Sequence, residues 1–569
     1  MPDRAFSPLL TDDQIERLRR VGRERAVDAG DLLFREGDAS YDFHVVLDGE
    51  VVVYEDLACE RPILDEPLVA RQFLGEMGLL LGESVYATAR VEAPGRVLEV
   101  PAERFRELMG ADTDLAEVVL GAFAVRRGFV TDAAAGLTLV GAQTDPDAVR
   151  LAEFARRNYL PVRWLRTDAD RDEAAEAMRQ VGREGLPEAP VVVWGTQTVL
   201  DNPTLLELAE TVGLAGEMPE DETADVVIIG AGPAGLAAAV YGASEGLKTV
   251  VVDEMGPGGQ AGASSRIENY LGFPAGLSGT ELATRATVQA RKFGACLVTP
   301  RRATGLGRDG DAYTVALGDG PTLRGRTVVV ATGAHYNRLP LPGLRRFEGA
   351  GVYYAATEME ARGCEGRTVL VVGGGNSAGQ AAMFLSERAE RVLLLLRGDD
   401  LYKSMSSYLA ERIEASDTIG VRTHTEAREL HGAGPEPGAG EHDALAAVTI
   451  EQTETGETER VETPALFVFI GASPCTEWLQ GDGAHKLGVA MDDKGFLLAG
   501  ADVPPECLPD DWGDARPATF ETCLRGVFAV GDVRSGSTKR VAGAVGEGAV
   551  AVKAVHARLA THPTAGHDA

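Results

Sequence analysis

Residues 225–254 of the chain read DVVIIGAGPAGLAAAVYGASEGLKTVVVDE. The stretch begins as an apolar strand, turns at glycines, continues as a helix of small residues and ends in a second apolar strand. Gly230, Gly232 and Gly235 form the pattern G-x-G-x-x-G. The first glycine permits the tight turn, the second lets the backbone approach a pyrophosphate, and the third lets the helix pack on the strand. The stretch therefore predicts a βαβ dinucleotide-binding unit.

The same unit predicts further contacts with the dinucleotide. Pro233 and Ala234 begin the helix, whose N-terminal N–H groups suit a pyrophosphate. Asp253 lies 23 residues after Gly230, where a ribose-binding carboxylate is expected. Glu254 is the alternative if the second strand ends one residue later.

A second fingerprint lies in residues 368–398, which read TVLVVGGGNSAGQAAMFLSERAERVLLLLRG. It has the form G-x-G-x-x-A, again between a strand and a helix. Two such fingerprints predict two Rossmann-like domains and two bound dinucleotides. The residues expected to contact the second one are Gly373, Gly375, Asn376, Ser377, Ala378 and Arg397.

Four further segments resemble the thioredoxin reductase family. PGGQ (257–260) and IENYLGFP (267–274) resemble its flavin loops. TVVVATGA (327–334) resembles the strand that returns the chain from the FAD domain, and GVFAVGDV (526–533) resembles the segment that binds the ribityl chain. The resemblance implies a two-dinucleotide-binding flavoprotein with FAD at the first site and NADPH or NADH at the second. It also implies FAD contacts at Gly259, Gln260, Asn269, Thr332, Gly333, Gly531, Asp532, Arg540, Val541 and Ala542.

The choice between NADPH and NADH stays open at the second site. NADPH enzymes of the family carry a His-Arg-Arg run and a later arginine. Those positions here hold Leu396, Arg397, Gly398 and Tyr402. Arg397, and Lys403 next to Tyr402, favour a 2′-phosphate slightly, while Asp399 and Asp400 would repel it.

The redox dithiol of thioredoxin reductases is missing. The four positions of its C-A-T-C segment hold Ala355, Ala356, Thr357 and Glu358. None of the six cysteines forms a C-x-x-C pair, which also argues against a zinc knuckle, and no metal site is expected. We expect hydride transfer from NAD(P)H to FAD and onward to an electron carrier or other acceptor. The alternatives are a thioredoxin-disulfide reductase with non-standard cysteines and a flavin-based redox sensor.

Residues 1–125 are predicted to form a β-roll. LFREGDASYDFHVVLDGEVVVY and FLGEMGLLLGESVYATARV resemble a cyclic-nucleotide-binding domain. The positions that match its phosphate cassette are Gly75, Glu76, Ala87 and Thr88, with Glu76 as the ribose acceptor. The family's phosphate-binding arginine falls on Val85. We therefore expect the fold without tight binding of a cyclic nucleotide.

Residues 138–213 resemble a thioredoxin or glutaredoxin domain in the order of their predicted strands and helices. The stretch 142–146, where the redox cysteines would lie, reads AQTDP, so this domain cannot perform thiol chemistry. Pro190 lies where that family has a cis-proline. We expect a docking or spacer module.

These assignments divide the 569 residues into four domains. After the two N-terminal domains, the FAD domain is expected at 222–345 and 472–560, with the NAD(P) domain at 346–471. A net charge of -32 argues against nucleic-acid binding. No apolar stretch of membrane-spanning length and no secretory signal are seen, so a cytoplasmic location is expected. The resemblance implies a homodimer.

Overall fold

The computed structural model divides the chain into two compact units. The first comprises Met1–Ala263, Ser278–Gly333 and Thr476–Ala569, and the second Ser264–Leu277 and Ala334–Cys475. The residues that the structure describes are 7–35, 38, 41–56, 61–63, 66–76, 79, 85, 87–132, 137–142, 145–158, 160, 162–168, 170–194, 198–216, 218, 223–264, 267, 270–274, 276–318, 320–348, 350–354, 356, 361, 363–432, 444–480 and 487–561.

The first unit begins with a β-roll built on two long antiparallel strands, β3 and β6. Its first helix, α1, starts at a capping box in which Thr11 and Gln14 bond each other's backbone N–H groups. The rings of Phe43, Phe73 and Phe105 fill the core. The elements are α1 (Asp12–Arg19), β1 (Arg23–Val27), β2 (Leu32–Phe34), β3 (Phe43–Asp56), β4 (Arg61–Pro62), β5 (Phe73–Leu74), β6 (Thr88–Val100), α2 (Ala102–Ala111) and α3 (Thr113–Asp132).

A four-stranded sheet follows, in the order β10-β9-β7-β8. Strands β7 and β8 are parallel, whereas β9 and β10 are antiparallel, which is the topology of a thioredoxin or glutaredoxin core. The peptide bond before Pro190 is not cis, unlike its counterpart in that family. The elements are β7 (Leu137–Val140), α4 (Pro146–Arg157), β8 (Val162–Leu165), α5 (Arg171–Gln180), β9 (Val191–Trp194), β10 (Thr198–Asp201) and α6 (Leu205–Thr211).

The remainder of the first unit is a seven-stranded sheet covered by helices. Its order is β13-β12-β11-β16-β15-β14, and β27 pairs with the C-terminal half of β16. The parallel strands β11 and β12 and the C-terminal half of β16 are mostly apolar and buried, as expected of a sheet covered on both faces. The elements are β11 (Ala224–Ile229), α7 (Pro233–Ser244), β12 (Thr249–Val252), α8 (Gly279–Lys292), β13 (Cys296–Val298), β14 (Ala303–Asp309), β15 (Ala312–Leu317), β16 (Thr322–Val330), β27 (Val527–Ala529) and α11 (Val541–Ala560).

The two N-terminal modules contact this sheet domain directly. Val288 of α8 packs into the core of the β-roll. The side chain of Asn158, at the end of α4, donates to the carbonyl oxygen of Met255 at 2.7 Å. Just after the second module, the N–H of Gly216 donates to the carbonyl oxygen of Thr299 at 3.0 Å. These modules are therefore packed parts of the first unit.

The second unit is built on a five-stranded parallel sheet in the order β18-β25-β19-β20-β21. A three-stranded antiparallel sheet and the short β17–β26 pair complete it. The elements are β17 (Ala334–Tyr336), β18 (Val352–Tyr353), β19 (Thr368–Val372), α9 (Asn376–Leu385), β20 (Arg391–Leu395), α10 (Ser407–Glu414), β21 (Ile419–Arg422), β22 (Thr425–Gly432), β23 (Leu445–Gln452), β24 (Thr458–Glu462), β25 (Leu466–Val468) and β26 (Ala472–Pro474).

Candidate functional site

The first glycine turn joins β11 to α7. Gly230 has φ +105°, and a Cβ placed on it would lie 2.4 Å from the carbonyl oxygen of Ala331. A Cβ on Gly235 would lie 1.8 Å from the carbonyl oxygen of Gly230. Both positions therefore require glycine, one for the turn and one for the close approach of helix and strand.

Gly232 is the glycine that faces open space. A Cβ placed on it would meet only the Cα of Gly259, at 3.8 Å. Gly232 caps α7 without a side-chain hydrogen bond, and Pro233 is the first helical residue. The first turn of α7 therefore presents N–H groups and the positive end of the helix dipole beside that space. This arrangement fits the pyrophosphate of a dinucleotide.

Asp253 connects the glycine turn to the loop after β12. Its Oδ2 accepts from the N–H of Ala231 at 2.7 Å, and its Oδ1 accepts from the N–H groups of residues 255 and 256 at 3.0 and 2.9 Å. A carboxylate has about four acceptor positions, so one remains for a ribose hydroxyl. Glu254 is exposed and lies 3.8 Å from Arg302. Of the two predicted carboxylates, Asp253 is the one at the turn.

The loop after Asp253 runs against the same turn. A Cβ on Gly259, which has φ +54°, would lie 2.9 Å from the Cα of Gly232. Gln260 follows and is partly buried. Asn269, the remaining predicted contact of these loops, lies outside the described residues.

The other predicted FAD contacts gather at the same edge of the sheet. Thr332 and Gly333 follow β16, and Gly531 and Asp532 follow β27. Because β11, β16 and β27 are parallel neighbours, their carboxyl ends lie together. A Cβ on Gly531 would lie 2.9 Å from the Cβ of Ala234 in the first turn of α7. The structure thus brings the two distant parts of the sequence into one site.

Helix α11 supports this edge through a carboxylate that sequence reasoning missed. Glu547 accepts from the N–H of Gly531 at 2.7 Å and pairs with Arg534 at 2.6 Å. A Cβ on Gly548 would lie 2.1 Å from the carbonyl oxygen of Ala234, so α11 packs directly on α7. A charged residue between glycines in an otherwise apolar helix, VGEGAVAV, was the available signal.

The start of α11 lies beside Asp532. Arg540 is the N-cap residue, and its side chain accepts no hydrogen bond from the first-turn N–H groups, which begin at Val541 and Ala542. Burial raises the pKa of Asp532. The carbonyl oxygen of Asp532 accepts from Nζ of Lys539 at 2.9 Å, and burial lowers the pKa of that lysine. Lys539 was not among the predicted residues.

The second glycine turn, in the second unit, follows the same plan. Gly373 has φ +140°, and a Cβ on it would lie 2.4 Å from the carbonyl oxygen of Phe469. Gly375 caps α9 without a side-chain hydrogen bond, and Ser377 in the first turn is exposed. Ala378 is fully buried at the third position of the fingerprint. The turn fits a second dinucleotide phosphate.

The loop after β20 folds back onto this second turn. Oδ1 of Asn376 accepts from the N–H of Ser406 at 2.8 Å, and Oγ of Ser404 donates to the carbonyl oxygen of Gly374 at 2.9 Å. Asn376 therefore holds the loop in place. Arg397 is exposed where that loop begins, so its guanidinium is accessible to a nucleotide.

The cysteines of the chain are separated in the sequence, and of the described ones Cys507 lies close enough to Cys523 to contribute, besides burial, to the raised pKa of that thiol. The described cysteines are Cys296, Cys364, Cys475, Cys507 and Cys523. Cys364 is buried in the core of the second unit, and burial raises the pKa of Cys523. Ala356 packs against the same core as Cys364. The residues Cys59, Ala355, Thr357 and Glu358 lie outside the described part.

In the β-roll, the residue predicted to accept from a ribose hydroxyl pairs with an arginine of the same chain. Glu76 is fully buried and accepts from Nη1 of Arg126 in α3 at 2.7 Å. The same Nη1 donates to the carbonyl oxygen of Phe73 at 3.0 Å. Val85 is buried, and Arg90 bonds Glu92 on β6. The described cassette positions are Gly75, Glu76, Val85, Ala87 and Thr88.

Residues 224–548, more than half of the chain, match the family described as pyridine nucleotide-disulphide oxidoreductase. The chain belongs to this family. Residues 24–112 of the oxidoreductase match the cyclic nucleotide-binding domain.

The similar proteins include several thioredoxin reductases. The enzyme of Bacillus subtilis is 30% identical over 338 residues, which cover 59% of this chain and 95% of the relative. The thioredoxin reductase of Mycolicibacterium smegmatis is 32% identical over 332 residues, which cover 58% of this chain and 94% of the relative. The solved thioredoxin reductase of Giardia duodenalis covers 60% of this chain and 100% of its own, with 25% identity and a TM-score of 0.51.

The predicted family, fold class and cofactors are thereby confirmed: the protein is an NAD(P)H-dependent FAD oxidoreductase with a cyclic-nucleotide-binding domain at its N-terminus. In the part of the chain described by the structure, no helix has the length and apolar character needed to cross a membrane. The described residues also contain no cluster of three or more histidine, cysteine or acidic residues suited to a metal ion.

Proposed function

We propose that this oxidoreductase passes electrons from NAD(P)H through FAD directly to an external acceptor, without a dithiol relay. The acceptor we favour is a small protein electron carrier of the ferredoxin type. The observation that carries the proposal is the sequence Ala355-Ala356-Thr357-Glu358 at the dithiol position. Reduction of a disulfide requires an attacking thiolate and a second thiol to resolve the mixed disulfide.

The remaining cysteines support this proposal. Cys364, the nearest in sequence to the replaced dithiol, is buried in the core and is a single thiol. Cys523 is buried, and burial raises its pKa, which disfavours the reactive thiolate. The thioredoxin-like domain has no cysteine at all. The chain thus offers flavin chemistry but no dithiol in sequence.

The residues of the chain then act by binding and positioning. When bound, FAD would supply the redox chemistry, which is uptake of a hydride from the nicotinamide and electron transfer to the acceptor. The first turn of α7, beginning at Pro233, would hold its pyrophosphate, and Asp253 its ribose. Asp532 would hold the ribityl chain. The turn at Gly373 and Gly375 would hold the phosphates of NAD(P)H.

A panel of acceptors tests the proposal. The holoprotein is mixed with NADH or NADPH, and steady-state turnover is measured with a ferredoxin, a small quinone and thioredoxin. Many turnovers with the ferredoxin or the quinone, and none with thioredoxin, are expected. Rapid reduction of thioredoxin would instead support a disulfide reductase with non-standard cysteines. Slow, stoichiometric flavin reduction with every acceptor would favour a redox sensor.

Two further properties are proposed from the resemblance and the composition. We infer a homodimer, as in the thioredoxin reductase family, and a cytoplasmic location, because cysteines scattered in the sequence without a C-x-x-C pair suit a reducing compartment. Sedimentation equilibrium of the full chain tests the first, since a mass near the 60.1 kDa of one chain would exclude the dimer.

A further inference from the structure

A buried amide of the thioredoxin-like domain lies against the loop that follows β12. Asn158, the residue that ends α4, is 8% exposed. Its Nδ2 donates to the carbonyl oxygen of Phe154 in α4 at 2.9 Å and to that of Met255 in the loop at 2.7 Å. A Cβ placed on Gly256, which has φ +143°, would lie 2.5 Å from Oδ1 of Asn158. The loop backbone at these two residues is therefore in direct contact with the amide.

Asp253 holds the same two loop residues through its side chain. Its Oδ1 accepts from the N–H groups of Met255 and Gly256 at 3.0 and 2.9 Å, and its Oδ2 accepts from the N–H of Ala231 in the glycine turn at 2.7 Å. The loop is thus bonded to Asp253 through its N–H groups and to Asn158 through a carbonyl oxygen. Because these N–H groups fix the direction of the carboxylate, a residue that fixes the loop also orients Asp253.

Further contacts tie the thioredoxin-like domain to the backbone around Asp253. Met255 packs against the apolar core of that domain. Gly216, just after the domain, runs so close to β13 that a Cβ on it would lie 2.1 Å from the carbonyl oxygen of Leu297. The segment that follows β13 returns to the carboxylate residue, since the N–H of Arg301 donates to the carbonyl oxygen of Asp253 at 2.7 Å. Two segments that bond Asp253 are therefore held by the thioredoxin-like domain or by the chain that leaves it.

We propose that Asn158 is a positioning residue for FAD, which holds the carboxylate of Asp253 towards the ribose in the adenosine half of the cofactor. The inference rests on the FAD site proposed above. A carboxylate that is oriented before binding loses less conformational freedom when the ribose arrives, so the affinity is higher. The thioredoxin-like domain, which has no cysteine, would thus serve cofactor binding and not thiol chemistry.

The affinities of the full-length apoprotein for FAD and for FMN, measured by flavin fluorescence, test this role. FMN has the flavin ring, the ribityl chain and one phosphate, but it lacks the adenosine ribose. For Asn158→Ala we expect the dissociation constant of FAD to rise about five- to tenfold, the usual effect of one lost hydrogen bond, and that of FMN to stay unchanged. Asn158→Asp keeps the shape of the side chain without the donor and should give the same result, even if the alanine variant folds poorly. Gln180→Ala changes an exposed amide of α5 and should leave both affinities unchanged.

A double-mutant cycle shows whether Asn158 acts through Asp253. In the Asp253→Ala background, Asn158→Ala should change the dissociation constant of FAD by less than about twofold. Effects that multiply in the double variant, or an equal loss of FAD and FMN affinity, would overturn the positioning role, and so would wild-type FAD affinity in Asn158→Ala. A wild-type chain that binds no FAD, or an Asp253→Ala variant that binds it like the wild type, would instead refute the FAD site itself.

Discussion

The Arg534–Glu547 ion pair allows a quantitative test of how α11 supports the FAD site. The two side chains are 15% and 12% exposed, and Nη2 lies 2.6 Å from Oε1. Removing one member of a buried pair costs about 3–5 kcal/mol, because the other charge stays buried without its partner. Glu547→Ala also removes the acceptor for the N–H of Gly531, a charge-assisted bond that contributes about 1.5–3 kcal/mol. The two costs overlap, since both arise from one carboxylate.

We therefore expect Glu547→Ala to destabilise the first unit by about 3 kcal/mol or more. It should also weaken FAD binding at least about tenfold, the equivalent of 1.4 kcal/mol, because the turn before Asp532 loses its support. FAD affinity is measured by flavin fluorescence on the apoprotein, and stability by urea unfolding. Lys553→Ala on the same helix is the matched control.

A double variant identifies the cause. Arg534→Met combined with Glu547→Leu removes both charges, so it should be less destabilising than Glu547→Ala alone. Wild-type stability and FAD affinity in Glu547→Ala would refute the reasoning. A double variant as unstable as the single one would show that packing, and not the unpaired arginine, sets the cost.

Three other predictions follow from the fold. Gly232→Val should abolish FAD binding, because the side chain would occupy the space beside α7, while Gly546→Ala in α11 should retain the flavin absorbance. Calorimetry should show no binding of cyclic AMP with a micromolar or lower dissociation constant. Val85→Arg should raise the affinity for cyclic AMP about tenfold, because it restores one charge-assisted hydrogen bond to the phosphate. Micromolar or tighter binding by the wild type would contradict the prediction. Hydrogen bonding to His44 and nearby arginines lower the pKa of Glu99 to about 2. Ionised Glu99 therefore stabilises the folded state fully above the ordinary pKa of a glutamate, and this stabilisation is lost as the pH falls towards 2. In Glu99→Gln, the free energy of unfolding should therefore depend less on pH over that range.

Local sequence patterns were sufficient to predict the strands and helices that flank the two glycine turns. G-x-G-x-x-G and G-x-G-x-x-A identify positions such as Gly235, where a side chain would collide with the backbone of the preceding turn. The capping box at Thr11 is likewise a local signal. The choice between Asp253 and Glu254 was not decided by spacing, because strand ends are uncertain by one residue. The hydrogen bond that Asp253 accepts from Ala231 favours Asp253, because it places this carboxylate at the glycine turn.

Contacts between distant parts of the chain were not predictable in the same way. Glu76 and Arg126 are 50 residues apart, and their pairing requires α3, which the sequence did not indicate as a separate helix. Glu547 supports Gly531 only because the C-terminal helix packs on the first helix of the FAD unit. The sequence analysis also missed the three-stranded sheet of the second unit. Its register depends on how β22, β23 and β24 pair, which no local sequence motif indicates.

The central claim is that electrons pass from NAD(P)H through FAD to the acceptor without a thiol relay. Its most direct test is a cysteine-free chain, in which each cysteine is changed to serine or alanine. The positions are Cys59, Cys296, Cys364, Cys475, Cys507 and Cys523. Stopped-flow reduction of the flavin and turnover with a ferredoxin should match the wild type, and neither protein should reduce thioredoxin rapidly. Rapid thioredoxin reduction by the wild type that is lost in the cysteine-free chain would reveal a functional cysteine pair and contradict the account.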